Sequence, residues 1–216
     1  MGINIVMYDV RIGWDEDQQK GIKPPPQQVI LKNHGPNFYP VHPGDSTLSQ
    51  FRMVAEENYK HIDRFSLYAH GYAMEDSKRI AHGGYGLQLG KDDLTVENAE
   101  AVFSLLNGKF DPENGLIELV GCAIAVSSRV GTIIGDGINL CEIISKAAGG
   151  IYVRASSDKQ NFGTTPFTEK TVSSSTAPSG VESDPGSWEG NVWNIRVKKG
   201  KTSITAFKQN IPPSRR

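Results

Sequence analysis

Cysteine is scarce: Cys122 and Cys141 are the only two in a chain of 216 residues. Two cysteines make no disulfide framework of the kind that staples small secreted domains. A helix running between them would hold their α-carbons roughly 20 Å apart, well beyond the span of about 4.4–6.8 Å that a bridge allows. There is no CxxC pair, and the five histidines fall at no ligand-like spacing with the cysteines, so no metal site is expected. No apolar run approaches the roughly 18 residues of a membrane-spanning helix. A formal net charge of −1 supplies no field that would draw the chain to nucleic acid or an anionic membrane, and neither is expected as a partner. The opening Met1-Gly2-Ile3-Asn4-Ile5-Val6 lacks the basic and apolar regions of a signal peptide, and Val6 stands where a myristoylation pattern wants Ser or Thr. The expectation is a soluble protein made in the cytoplasm. Secretion as an effector by a specialised machine would leave no mark in such a sequence.

The length fits one domain with long loops, large enough to bury about 70% of its unfolded surface without staples. Ile3–Val10 is β-branched and apolar and predicts a strand. Pro24-Pro25-Pro26 excludes helix and central strand nearby, Gln28–Leu31 is a second short strand candidate, and the turn chemistry of residues 33–45 predicts loop. Asp45 or Ser46 suits the N-cap of a helix carrying Leu48, Phe51, Val54, Ala55 and Tyr59 at helical spacing. Phe65–Ala69 reads as a strand running into His70-Gly71, and Leu87-Gln88-Leu89 as part of a hairpin. Thr95 suits the N-cap of a helix over residues 96–106, with Ala99, Val102, Phe103 and Leu106 on one face. Gly115–Val120 is a near-continuous apolar run, as in a strand covered on both faces of a parallel sheet, and ends at Gly121-Cys122. A long helix over about 131–148, a strand at 151–155, a Ser/Thr/Pro/Gly-rich loop over 156–187 and a last strand at 192–197 complete the reading, with a basic frayed tail beyond. Strands alternating with helices predict an α/β sheet with parallel neighbours.

Parallel strands joined by a crossover have their carboxyl ends on one edge of the sheet. If the strands ending at His70 and Cys122 are neighbours, about 4.8 Å apart, both residues project into the cleft where open α/β sheets bind ligands. The chemistry needs that meeting. A free thiol is mostly protonated at neutral pH, and an imidazole beside it can take the proton. A helix beginning within a few residues of Cys122 would favour the thiolate further. Gly71 lets its N–H approach a substrate carbonyl closely, and with the Cys122 N–H it would form an oxyanion hole.

Ser66-Leu67-Tyr68-Ala69-His70-Gly71 and Ile117-Glu118-Leu119-Val120-Gly121-Cys122 resemble the histidine and cysteine segments of caspase-like (clan CD) cysteine peptidases, the group of caspases, separases and toxin autoprocessing domains. The two residues lie 52 positions apart, close to the roughly 50 of a caspase. Gly86-Leu87-Gln88-Leu89-Gly90 with Asp93-Leu94-Thr95 is similar to the hairpin and helix start of bacterial caspase-like domains. Val153–Ser157, Gly186-Ser187-Trp188 and Trp193-Asn194-Ile195 are similar to the end of toxin autoprocessing domains. The resemblance covers about residues 60–198. One departure matters: Gln-Ala-Cys-Arg-Gly is absent, Cys122 standing instead between Val120-Gly121 and Ala123-Ile124, so a preference for cleavage after Asp is not inherited.

The resemblance implies a single peptidase domain over 1–200: N-terminal strands and first helix over 1–60, a catalytic core over 61–156, then a long loop and last strand, with 201–216 as a basic flexible tail. The implied fold is a three-layer α/β sandwich with a mostly parallel central sheet flanked by helices and a C-terminal β-flap or loop. The implied activity is a cysteine endopeptidase acting on a protein or peptide. His70 and Cys122 are its catalytic dyad and Gly71 and Cys122 its oxyanion hole, and it is able to process itself in the loop 156–187. Ser156 and Asp158 would line the pocket for the residue before the cut, where a carboxylate selects Arg or Lys; Arg154 could instead select an acidic residue. Inositol hexakisphosphate activates toxin autoprocessing domains, and Lys198, Lys199 and Lys201 are the residues that could meet it, although a solvated tail is the preferred reading. The competing function is a catalytically inactive caspase-like module for interaction or regulation. An α/β-hydrolase reading lacks its Gly-x-Ser-x-Gly elbow. His34 is the rival histidine, but it enters a proline-rich loop; His82 sits at a glycine-rich hairpin tip; His42 and His61 read as surface or ordinary core histidines. Cys141, with Ile138, Ile144 and Ala148, reads as core.

Overall fold

The computed structural model describes residues 2–13, 37–57, 61–72, 84–126, 136–158, 188 and 190–207. Their centre is a seven-stranded sheet, built from β1 (Ile3–Asp9), β2 (Phe38–Val41), β3 (Ile62–Tyr68), β7 (Leu116–Val120), β8 (Tyr152–Ser156), β9 (Val192–Lys198) and β10 (Lys201–Ala206). The spatial order is β10-β9-β8-β7-β3-β1-β2. The five strands from β2 to β8 are mutually parallel, and β9 and β10 close one edge antiparallel. A small antiparallel sheet of β4 (Gly71–Tyr72), β5 (Gly86–Leu87) and β6 (Leu94–Thr95) stands beyond the end of β3. The helices are α1 (Thr47–Glu56), α2 (Ala99–Ser104) and α3 (Gly137–Ala147). Among the described residues no helix is long and apolar enough to cross a membrane.

Strand alternation divides the sheet into two unlike faces. Ile5, Met7, Phe65, Leu67, Ile117, Leu119, Val153, Ala155 and Ile195 join Phe51 and Val54 of α1, Val102 and Phe103 of α2 and Cys141 and Ile144 of α3 in the main core. At its centre the Phe51 ring lies 5.4 Å from Phe65 and 4.9 Å from Phe103, and burial of each such ring contributes about 1.5–3 kcal/mol. All three described helices therefore lie against this one face. The opposite face carries a smaller cluster of Tyr8, Tyr68, Val120, Trp188 and Val192 near the carboxyl ends of the strands.

Several boundaries differ from the sequence reading. Phe38–Val41, read as loop because of its prolines, is β2; it is an edge strand, where Pro40 forfeits no needed ladder bond. Thr95 lies in β6 rather than capping a helix, and α2 begins only after Asn98, whose Oδ1 accepts from the Thr95 N–H at 2.9 Å. Leu48, placed on the buried stripe of α1, is 38% exposed. The basic tail does not begin at 201: Lys199 and Gly200, at φ of 51° and 72°, make a two-residue hairpin turn of the kind that needs positive φ at both positions. The chain then returns as β10, with Lys201 opposite Lys198. The candidate strand 28–31, His34, His82 and most of the loop 156–187 lie outside the described residues.

Candidate active site

The pairing of β3 with β7 sets Arg64 opposite Leu116, Ser66 opposite Glu118 and Tyr68 opposite Val120. That offset is the spacing of His70 from Cys122, so the two residues occupy matched positions just past the ladder. The Ala69 N–H donates to the Val120 carbonyl at 3.2 Å and carries the pairing on toward them. Tyr68 and Val120, the last paired residues before them, lie on the face opposite the helices. The register of β7 with β8, Leu119 opposite Ala155, extends in the same way to Cys122 opposite Asp158, and the Ala123 N–H donates to the Asp158 carbonyl at 2.8 Å. The site stands at the carboxyl edge beside β1 and β3. There the chain order reverses, since β2 lies on one side of β1 and β3 on the other, as in the ligand crevices of open α/β sheets.

Glycine lets the strand tips close together. A β-carbon on Gly71 would fall 2.0 Å from the Cys122 carbonyl oxygen, and one on Gly121 would fall 2.4 Å from the Ala69 carbonyl oxygen. The Gln88 N–H donates to the His70 carbonyl at 2.7 Å, which marks His70 and Gln88 as a hydrogen-bonded pair. Gly71 and Leu87, the next pair, are then the non-hydrogen-bonded type, whose N–H groups point away from the partner strand. Pairing with β5 thus does not consume the Gly71 N–H.

His70 and Cys122 are each partly exposed. His70 Nε2 lies 3.4 Å from the carbonyl oxygen of Arg11, in the 3-10 turn Val10–Gly13 that follows β1. In the Nε2–H tautomer this bond leaves Nδ1 as the basic nitrogen. Burial pulls His70 below the usual imidazole value, and the Arg11 carbonyl and Asp9 oppose that pull. The turn is held by an ion pair the sequence did not disclose. Arg11 Nε donates to Asp9 Oδ1 at 2.7 Å and Nη2 to Asp9 Oδ2 at 2.5 Å. Arg11 Nη2 also donates to the Gly90 carbonyl, while the Gly90 N–H donates back to Asp9 Oδ2 at 2.9 Å. Asp9 is 1% exposed. An acidic residue closing an apolar strand two positions before an arginine was the available signal.

Among the described residues no helix begins directly behind Cys122. Residues 121–126 form a turn, with Ala123 at φ 50°, and α3 begins at Gly137 under its own cap, Asp136 Oδ1, which accepts from Asn139 N. The proposed pocket residues are engaged within the fold. Ser156 is fully buried and donates to the Asn191 carbonyl. The Asp158 carboxylate accepts from the Asn191 N–H at 2.7 Å and from the Ser157 hydroxyl. Arg154 pairs with buried Glu118 at 3.0 Å, donates to Asn194 and stacks on Phe207. Asp158 stands nearest to Cys122 in register; Ser156 and Arg154 lie successively further back along β8. Cys141 is fully buried, and burial pushes its thiol well above the ordinary value. Lys198 pairs with Glu113, and Lys201 opens β10.

No protein-family model matches the chain, and no curated protein matches it significantly.

Proposed function

We propose that the chain is a caspase-like cysteine endopeptidase with Cys122 as nucleophile and His70 as its base. One observation supports the reading: the strands that lead into His70 and Cys122 are adjacent and parallel, paired at an offset equal to the spacing of the two residues. In the reaction His70 Nδ1 takes the thiol proton as sulfur attacks the scissile carbonyl carbon. The resulting oxyanion is met by the Gly71 and Cys122 N–H groups, an arrangement worth about 3–4 kcal/mol per donor elsewhere. The imidazolium returns its proton to the leaving amine as the C–N bond breaks, leaving a thioester. Water, deprotonated by His70, then releases the carboxylate and frees the thiol. Asp158, matched in register to Cys122, is the pocket residue of choice, and a basic residue before the cut is the corresponding substrate.

The alternative, an inactive module of the same fold, draws support from the two glycines. Close packing of the strand tips demands Gly71 and Gly121 whether or not catalysis occurs. Two measurements separate the readings. Cys122→Ala abolishes peptide and self-cleavage if Cys122 is the nucleophile; equal cleavage by parent and variant rules that out. Iodoacetamide at neutral pH labels a working Cys122 rapidly and Cys141 hardly at all, whereas the module reading expects slow labelling of both.

A further inference from the structure

Gln88 is the cross-strand neighbour of His70. Gly71 opposes Leu87 and Tyr72 opposes Gly86 in the β4–β5 ladder, so the register carried on by one residue sets Gln88 opposite His70, and the 2.7 Å bond from its N–H to the His70 carbonyl completes that pair. Directly opposed residues carry their side chains on the same side of a sheet, with β-carbons about 4.5–5.5 Å apart. Leu87 and Leu89 are fully buried in the main core, so alternation turns Gln88 to the other side, that of the imidazole. Gln88 is 8% exposed, and its Oε1 is buried without a hydrogen-bond partner.

A sealed amide oxygen without a donor is costly and calls for an explanation. An arriving peptide cannot reach an atom already closed off from solvent. A donor from within the fold would meet it, and the ring opposite carries one. The 3.4 Å separation of His70 Nε2 from the Arg11 carbonyl is long for an N–H···O bond and leaves room for a second acceptor on the same proton. We propose that Gln88 is a positioning residue, whose carboxamide oxygen shares the His70 Nε2–H with the Arg11 carbonyl and so holds the ring with Nδ1 toward Cys122. Its catalytic meaning rests on the peptidase reading. Among the described residues Asp9 and Arg11, themselves an ion pair, act on the ring as charged groups. Gln88 adds a neutral acceptor, whose bond strengthens when the ring becomes an imidazolium.

The test follows the His70 ring by NMR through a pH titration of the full chain, with His70→Gln assigning the signal. Gln88→Met keeps the side-chain length and removes the acceptor; Gln88→Glu keeps the shape and charges it. Gln88→Met is expected to lower the Nε2–H tautomer fraction and to move the ring midpoint down by about half a pH unit, and Gln88→Glu to move it up by about as much or more. On a cleaved peptide, kcat falls in Gln88→Met with KM unchanged, and the acid limb of the rate profile follows the ring. Unchanged tautomer and midpoint in both folded variants overturn the proposal. Should Gln88→Met fail to fold, the absence of an upward shift in Gln88→Glu alone does so. The ring is read without substrate, which keeps the two ideas separable. Shifts with no cleavage by the parent sink the peptidase and keep the contact; cleavage by the parent with no shift sinks the contact alone.

Discussion

Gly71→Ala tests the meeting of the strand tips directly. The new β-carbon would lie 2.0 Å from the Cys122 carbonyl oxygen and 2.7 Å from Ile124 Cδ1. The Ile124 methyl can turn aside, but a backbone carbonyl cannot, and restoring ordinary contact requires the two tips to part by roughly 1 Å or more. Overpacking of this kind costs about 1–3 kcal/mol. For a chain of this size that lowers the thermal midpoint by about 2–4 °C per kcal/mol. The effect on chemistry is larger, since a displacement of about 1 Å between reacting groups can cost on the order of 10²-fold in rate. The assay pairs a urea melt with the rate of Cys122 alkylation at neutral pH and, where a substrate is in hand, kcat/KM. A lower urea midpoint together with alkylation slowed toward that of a simple thiol is the expected result. A variant with the parent's midpoint and the parent's alkylation rate would show that Gly71 and Cys122 are not in contact, and the site built on that contact would fall with it.

Arg154→Met leaves the Glu118 carboxylate, 2% exposed, with only Ser66 and the half-exposed Arg64. It should cost about 3–5 kcal/mol in a urea melt, and the double variant Glu118→Leu/Arg154→Met should recover most of it; equal midpoints for the single and double variants would refute the pairing. Stability should also depend on His70. Its folded value lies below the ordinary 6.5, chiefly through burial, so the unfolded chain takes up the proton first. The contribution is whole above pH 6.5 and is lost as pH falls from there through the lowered folded value. Urea midpoints between pH 7.5 and 5 should fall less steeply in His70→Gln than in the parent, and identical slopes would exclude His70 as the source.

Short apolar, β-branched runs disclosed most of the central sheet, because a buried strand declares itself through its side chains whatever surrounds it. Ile3–Asp9, Leu116–Val120 and Tyr152–Ser156 each lie within a residue of their expected ends. The face of α2 was legible for the same reason, with Ala99, Val102 and Phe103 all buried, and Leu106 is buried in the turn that follows it. β2 and β10 were not, since an edge strand buries little: Pro40 masked the first, and in the second Lys201–Ala206 are exposed throughout. At the site, what was legible is that the strands leading into His70 and Cys122 are parallel neighbours. Which groups serve them was not legible. Asp9, Arg11 and Gln88 reach the histidine through a turn and a hairpin register that single-residue chemistry does not encode. Arg154 and Ser156 drew attention by type, yet their partners across the sheet, Glu118 and Asn191, decide what they do.

Val6, Ser66, Glu118, Arg154 and Asn194 form a single transverse line across five strands, polar from Ser66 onward. Were β7 to slide by one position, Glu118 would be driven among the phenylalanines beneath α1 and α2, and Leu119 would turn to the opposite side. The charge in the middle of Leu-Ile-Glu-Leu-Val therefore works as a detent. It lets this otherwise greasy strand settle in one alignment, and that alignment is the one that brings the backbones of Gly71 and Cys122 together.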